Sequence, residues 1–168
     1  MIYIFEGSDL SGKTTLAEAF SKKNNIPLIK KRFDVLGMSK EFLLTNLIEE
    51  LQKFFWLTIW PIRELINVAV DRSLLSSLVY GTFFEREYDK TYIMEALKDP
   101  FVKVFFVYAD SNSIERRKLV RTEKLFSLDE ILKIQTMYFE VVKVLENEGI
   151  KIISINNSDN SNIEIPSI

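Results

Sequence analysis

Gly7, Gly12, Lys13 and Thr14 stand at the spacing G-x-x-x-x-G-K-T within Gly7-Ser8-Asp9-Leu10-Ser11-Gly12-Lys13-Thr14-Thr15, and residues of these types at this spacing hold polyphosphate. The two glycines let the backbone curl so that successive N–H groups point inward, and the positive end of the following helix adds to the field. Lys13 brings a point charge to the β- and γ-phosphates, and the Thr14 hydroxyl sits on Mg²⁺. Gly7, Ser11, Gly12, Lys13, Thr14 and Thr15 are therefore candidate ligands of a donor nucleotide. The apolar run Met1 to Phe5 precedes the loop and a helical pattern from Leu16 to Phe20 follows, which is the strand, loop, helix setting this motif needs. The plainer alternative is an ordinary Gly-rich turn between a strand and a helix.

Two further charged stretches have the chemistry to complete such a site. Asp71-Arg72 closes the β-rich stretch Ile66 to Val70. Asp71 suits the metal and Arg72 a second phosphate; alternatively, Asp71 caps a helix starting near Ser73 and Arg72 is solvated. The stretch from Glu115 to Lys124 carries five cations against two carboxylates. A cationic lid there could neutralise a moving phosphoryl group while excluding water. Arg117 and Arg121 are four apart, so a helix over Ile114 to Lys124 presents both from one face; the plainer alternative is a solvated helix surface.

The elements that must position these residues alternate. Strands are expected at Ile2 to Phe5, Pro27 to Lys31, Ile66 to Val70, Val102 to Tyr108 and Ile150 to Ile155. Helices are expected at Lys13 to Lys23, Ser39 to about Trp60, Leu74 to Phe84, Lys90 to Leu97, Ile114 to Lys124 and Ser127 to Glu146, with Pro61 breaking the second and Gly149 stopping the last. The pattern predicts a three-layer α/β/α fold with a central parallel sheet of about five strands. In such sheets ligands bind beyond the carboxyl ends of the strands, where the phosphate loop, Lys30 to Asp34 and Asp71-Arg72 all fall. Residues 1–156 read as one domain with a helical lid near 111–126, and 157–168, rich in Asn and Ser, as a frayed tail.

Composition narrows the chemistry. The 168 residues are 47% hydrophobic and 27% charged, enough for a full core. A net charge of -2 argues against a nucleic-acid surface. With no Cys and no His, acid–base work falls to carboxylates. Met1 leads straight into the first strand, and the apolar stretch Phe54 to Trp60 is too short to span a membrane, so a cytoplasmic protein is expected. No Asn-Lys-x-Asp guanine-reading element of a regulatory GTPase is present.

Ile4-Phe5-Glu6-Gly7 with the loop, Asp71-Arg72-Ser73 followed by Ser76-Ser77 and Tyr80-Gly81, and the Arg-rich segment before Glu123 together resemble thymidylate kinases and, more broadly, the P-loop nucleoside and nucleoside-monophosphate kinases. The resemblance covers most of the chain in order. It implies ATP and Mg²⁺, a small-molecule nucleotide as partner, and conversion of dTMP to dTDP. It places Asp9 at the sugar of the acceptor, Arg72 on the acceptor phosphate, and Arg116, Arg117 and Arg121 in a lid over ATP, with the catalytic Arg in the lid because Leu10 occupies the loop position where some members carry one. Lys13, Asp71, Arg72, Arg117 and Arg121 are thus the catalytic candidates, Thr14 and Asp71 the metal candidates, and Asp9, Arg32, Asp34, Phe55 and Arg72 the acceptor candidates.

The chain departs from the family in two places. Phe55 fits the Phe that stacks on thymine, but Ile59 replaces the Arg four residues later, and Arg63 is the substitute. Lys31-Arg32-Phe33-Asp34 replaces Arg-Glu-Pro-Gly; Asp34 suits the base of a deoxynucleoside kinase acting on a nucleoside 5′-hydroxyl. A non-catalytic nucleotide-binding protein is a third reading. The apolar stretch Leu74 to Tyr80 is either core or, as in dimeric thymidylate kinases, the face that pairs two chains in a homodimer.

Overall fold

A computed structural model describes residues 1–30, 57, 59–86, 90–121, 126–159 and 164–167. Along the chain lie β1 (Ile2–Glu6), α1 (Lys13–Asn24), β2 (Leu28–Lys30), β3 (Val68–Asp71), α2 (Leu74–Phe83), α3 (Thr91–Lys98), β4 (Val102–Tyr108), α4 (Ser111–Val120), α5 (Leu128–Asn147) and β5 (Ile152–Asn156), with a 3₁₀ turn at Trp60–Ile62. The strands form one parallel sheet in the order β2-β3-β1-β4-β5. The chain runs outward from β1 to one side and later crosses to the other, so the sheet switches direction beside β1, where such folds place their ligands.

Alternation along the strands gives the sheet two buried faces. Ile2, Ile4, Val68, Val70, Val104 and Phe106 pack with α2, α3 and α5 in one core. Tyr3, Phe5, Ala69, Phe105 and Val107 pack on Leu16, Ala17 and Phe20 of α1 in the other. The result is the expected three-layer α/β/α arrangement. Phe20 is the key of the α1 layer: its ring centroid lies 5.0, 5.2 and 5.6 Å from those of Tyr3, Phe5 and Phe105. Those contacts set how α1, and hence the phosphate loop that opens it, sits on the sheet.

Helix ends follow local side-chain chemistry. Ser127 and Glu130 form a reciprocal capping box at the start of α5, and Gly149, at φ 81°, stands just past its end. Asp110 caps α4, its Oδ1 accepting the Ser113 N–H at 2.7 Å, so that helix starts three residues before the Ile114 expected from periodicity and ends at Val120. Arg121 follows in extended backbone, ψ 131°. The expectation that Arg117 and Arg121 share one helix face is therefore corrected.

Three other expectations meet a different arrangement. Leu74, Leu75, Ser76, Ser77, Leu78 and Val79 are all buried inside this chain, so the apolar stretch of α2 is core and offers no face for pairing two copies. Residues 157–159, expected to fray, form the hydrogen bonds described below, while Lys23 Nζ donates to the Ile165 carbonyl at 2.6 Å. Arg63 lies at the far end of the sheet from the phosphate loop. Its carbonyl accepts from the Met1 ammonium at 3.1 Å, and its guanidinium pairs with Asp99 at 2.6 Å, so it cannot read a base at the loop. Of the helix expected from Ser39 to Trp60, all but Leu57, Ile59 and Trp60 lies outside the described residues, as do Arg32, Asp34 and Phe55.

Among the described residues no helix is long and apolar enough to cross a membrane. Phe20→Ala should destabilise the fold by about 3–5 kcal/mol, read as a lower urea midpoint at unchanged slope.

Candidate functional site

The phosphate loop leaves β1 between two close neighbours. A Cβ on Gly7 would lie 2.1 Å from the Val107 carbonyl oxygen of β4, and one on Gly12 would lie 2.0 Å from Asn157 Nδ2. Both glycines are thus required by space, and Gly12 also by its φ of 83°. Asn157 Nδ2 donates to the Ser11 carbonyl at 2.7 Å. Arg117 donates to the carbonyls of Leu10 at 2.9 Å and Asn157 at 2.6 Å, and pairs with Asp159 at 2.7 Å. The segment after β5 and the middle of α4 therefore brace the outside of the loop. Gln135 braces its start: Oε1 accepts from Ser8 Oγ and the Ala109 N–H, both at 3.3 Å, while Nε2 donates to the Ala109 carbonyl at 2.9 Å. Periodicity marked Gln135 only as an inward position of α5, and Asn157 was read as tail. Neither assignment had a local signal, because both side chains act across the fold.

At the first turn of α1, Thr14 Oγ1 donates to Asp71 Oδ2 at 2.5 Å. The other oxygen, Asp71 Oδ1, is buried with no hydrogen-bond partner, as is Ser11 Oγ. A hydroxyl beside a carboxylate with one free oxygen is an all-oxygen donor set suited to a hard cation such as Mg²⁺, which keeps waters and phosphates as its remaining ligands. Thr15 is exposed on the same helix.

Lys13 is buried, its Nζ 3.4 Å from the Ser8 carbonyl and 3.9 Å from Asp9 Oδ1. Burial, together with the like charge of Arg72, lowers its ammonium to about 8, against the pull of Asp9, Asp71 and Glu6. A phosphate in the loop would supply the missing counter-charge.

Arg72 projects from the end of β3 toward the same place. Its Nη2 donates to Asp9 Oδ1 at 2.5 Å and its Nη1 to Tyr138 Oη at 3.2 Å, and the guanidinium lies 5.2 Å over the Tyr80 ring. Burial raises the phenols of Tyr80 and Tyr138, so both stay neutral. The backbone of Arg72 is left-handed, φ 66°, a conformation that costs a non-glycine residue about 1–2 kcal/mol. The surrounding structure must hold it there.

Asp71 therefore faces Thr14, and the capping of α2 falls to a residue with no assigned role, Glu6. Glu6 Oε1 accepts the N–H groups of Ser73 at 2.7 Å and Leu75 at 3.0 Å, and Oε2 accepts from Ser76 N at 3.2 Å and Ser76 Oγ at 2.6 Å. The signal was a charged residue closing an otherwise apolar strand, with Phe5 paired to Asp71 in the next strand.

Of the lid candidates, Arg117 is tied to the loop as described, Arg116 is exposed and pairs with Asp159 at 3.0 Å, and Arg121 is exposed just beyond α4.

A parallel sheet with a phosphate loop after its central strand, a hydroxyl–carboxylate pair beside it and a second cation facing the loop define a P-loop nucleotide-kinase-like fold. No family model matches the chain. It is 28% identical over 170 residues to the SPbeta prophage-derived uncharacterized protein YorR of Bacillus subtilis, covering 98% of this chain and 93% of that one. The crystal structure of YorR in complex with phosphorylated GDP superimposes with a TM-score of 0.62 at 25% identity over 94% of this chain and 86% of that one. Thymidylate kinase from Candida albicans gives 0.62 at 20% identity over 94% and 84%, and deoxyadenosine kinase from M. mycoides with bound dATP gives 0.57 at 16% over 93% and 90%.

Burial alone would raise the Asp9 carboxyl, but Arg72 and Lys13 outweigh it and hold it below its ordinary value of 3.8. A carboxyl depressed in the folded chain stabilises the fold above its unfolded value and loses that contribution as pH falls through the folded one. The difference in Tm between the wild type and Asp9→Asn should therefore be constant above about pH 5 and shrink below pH 3.8. A difference that does not change with acid would show that the pair carries no stability.

Proposed function

We propose that this protein is an ATP- and Mg²⁺-dependent kinase of a nucleoside monophosphate, with dTMP as the acceptor that the family resemblance favours. The observation that carries the reading is Asp9. It lies in the phosphate loop 3.9 Å from Lys13 and 2.5 Å from Arg72, so one carboxylate spaces two cations suited to two different phosphates. A nucleotide-binding protein that performed no transfer would have no use for the second cation at that position.

In this reading the loop amides and Lys13 hold the β- and γ-phosphates, and Arg72 holds the acceptor phosphate in line with the donor. An acceptor oxygen attacks the γ-phosphorus as the bond to the β-phosphate oxygen breaks, giving two diphosphates. The acceptor phosphate is already anionic, so the residues need remove no proton; they supply position and charge. Thr14 and Asp71 would hold Mg²⁺, which when bound neutralises charge developing on the bridging oxygens. Arg117 fixes the loop from outside, leaving Arg116 and Arg121 as the lid cations that reach the transferring group. Asp9 and Tyr80 flank Arg72 on the acceptor side.

The YorR complex favours a second reading of the base: a protein similar to this one over nearly its whole length holds a guanine nucleotide. ADP or GDP release, measured with ATP and GTP as donors against dTMP, dGMP, GMP and the corresponding nucleosides, separates these readings. Turnover of a monophosphate supports the proposal and names the base; turnover of nucleosides alone assigns the protein to the deoxynucleoside kinases. Lys13→Ala should lower turnover by about 10²–10³-fold with unchanged circular dichroism. Near-normal rates in that variant would sink the kinase reading.

A further inference from the structure

Glu6 is fully buried at the carboxyl end of β1, directly before the phosphate loop, and it is joined to Arg72 along two routes. Through the backbone it accepts the N–H groups of Ser73, Leu75 and Ser76. Ser73, the residue that follows Arg72, stands at φ -160° and ψ -102°, and its side chain makes no cap for α2. Through side chains it accepts from Ser76 Oγ, which lies 2.8 Å from Tyr138 Oη, and Tyr138 Oη accepts in turn from Arg72 Nη1. The carboxylate thus grips the residue that sets the backbone of Arg72 and the hydroxyls that set its guanidinium. An ordinary cap on α2 would require only the first route.

We propose that Glu6 is the positioning residue for Arg72, holding it in left-handed backbone with its guanidinium on Asp9, so that the loop for one phosphate and the clamp for the other are built from one carboxylate. This rests on the reading of Arg72 as the acceptor-phosphate clamp. Gln is nearly isosteric with Glu but carries an NH₂ group in place of one oxygen. At least one of the backbone N–H groups then faces a donor, and the turn at Arg72 and Ser73 must shift.

A double-mutant cycle tests this, using the acceptor that the wild type turns over. Glu6→Gln should lower kcat/KM for the acceptor on the order of tenfold to a hundredfold, with the KM for the donor changed by less than about threefold. In an Arg72→Ala background the same substitution should change kcat/KM by less than about threefold, because the residue it acts through is gone. An equal loss in both backgrounds would mean that Glu6 only supports the fold and would overturn the proposal. If Glu6→Gln does not fold, Glu6→Asp, which keeps the charge and withdraws it by one methylene, should show the same pattern. A crystal structure of either variant gives the answer without turnover: Arg72 should leave its φ of 66° and its contact with Asp9 should open. Both retained would overturn the proposal. If the wild type turns over no acceptor, the kinase reading fails while that structure still decides whether Glu6 positions Arg72.

Discussion

The parallel register of β1 against β3, with Phe5 opposite Asp71, is the constraint on which the site depends. It brings the ends of two strands, separated by more than sixty residues of chain, to the same edge of the sheet. Everything chemical then happens within one or two residues of those ends: Gly7 begins the loop, Thr14 returns to Asp71, and Arg72 turns back toward Asp9. A slip of one residue would exchange the two faces of either strand, burying Asp71 in a core and moving Arg72 away from the loop. The hydrophobic alternation of Ile2, Tyr3, Ile4 and Phe5 against Val68, Ala69 and Val70 prevents that slip, so the apolar pattern of two short strands is also the alignment device of the site.

Electrostatics at this edge is a balance among buried charges of both signs. Lys13 and Arg72 repel one another, and Asp9, Asp71 and Glu6 offset that repulsion without abolishing it, which is why burial and Arg72 together lower Lys13. A site arranged in this way is organised before any anion arrives and gains when one does. The carboxylates are not interchangeable. Asp71 keeps a free oxygen beside Thr14, Asp9 spaces the two cations, and Glu6 turns both oxygens to α2 and Ser76.

The bracing around the loop uses parts of the chain that carry no chemistry of their own. Arg117 and Asn157 engage the carbonyls of Leu10 and Ser11, and Gln135 links Ser8 to the end of β4 through Ala109. These bonds satisfy outward-facing carbonyls and leave the inward N–H groups of the curl for a ligand. The contact also explains why residues 157–159 are ordered beside the loop despite a composition suited to a loose end: their partners lie elsewhere in the fold.

Much was legible in the chain itself. The phosphate loop is a local motif whose glycines and lysine act within nine consecutive residues, and strand and helix periods report burial residue by residue, so the loop, the five strands and their parallel layering followed from sequence. The pairing of Thr14 with Asp71 was legible as roles, since each sits at the end of a recognisable element. What only the tertiary structure decided were relations between distant residues with no fixed spacing: that Glu6 and not Asp71 caps α2, that Arg117 braces the loop while Arg121 leaves the helix, that Arg63 is held at the opposite end of the sheet, and that α2 is core. Each depends on which elements become neighbours, and hydrogen bonds across a fold leave no period in the chain that forms them.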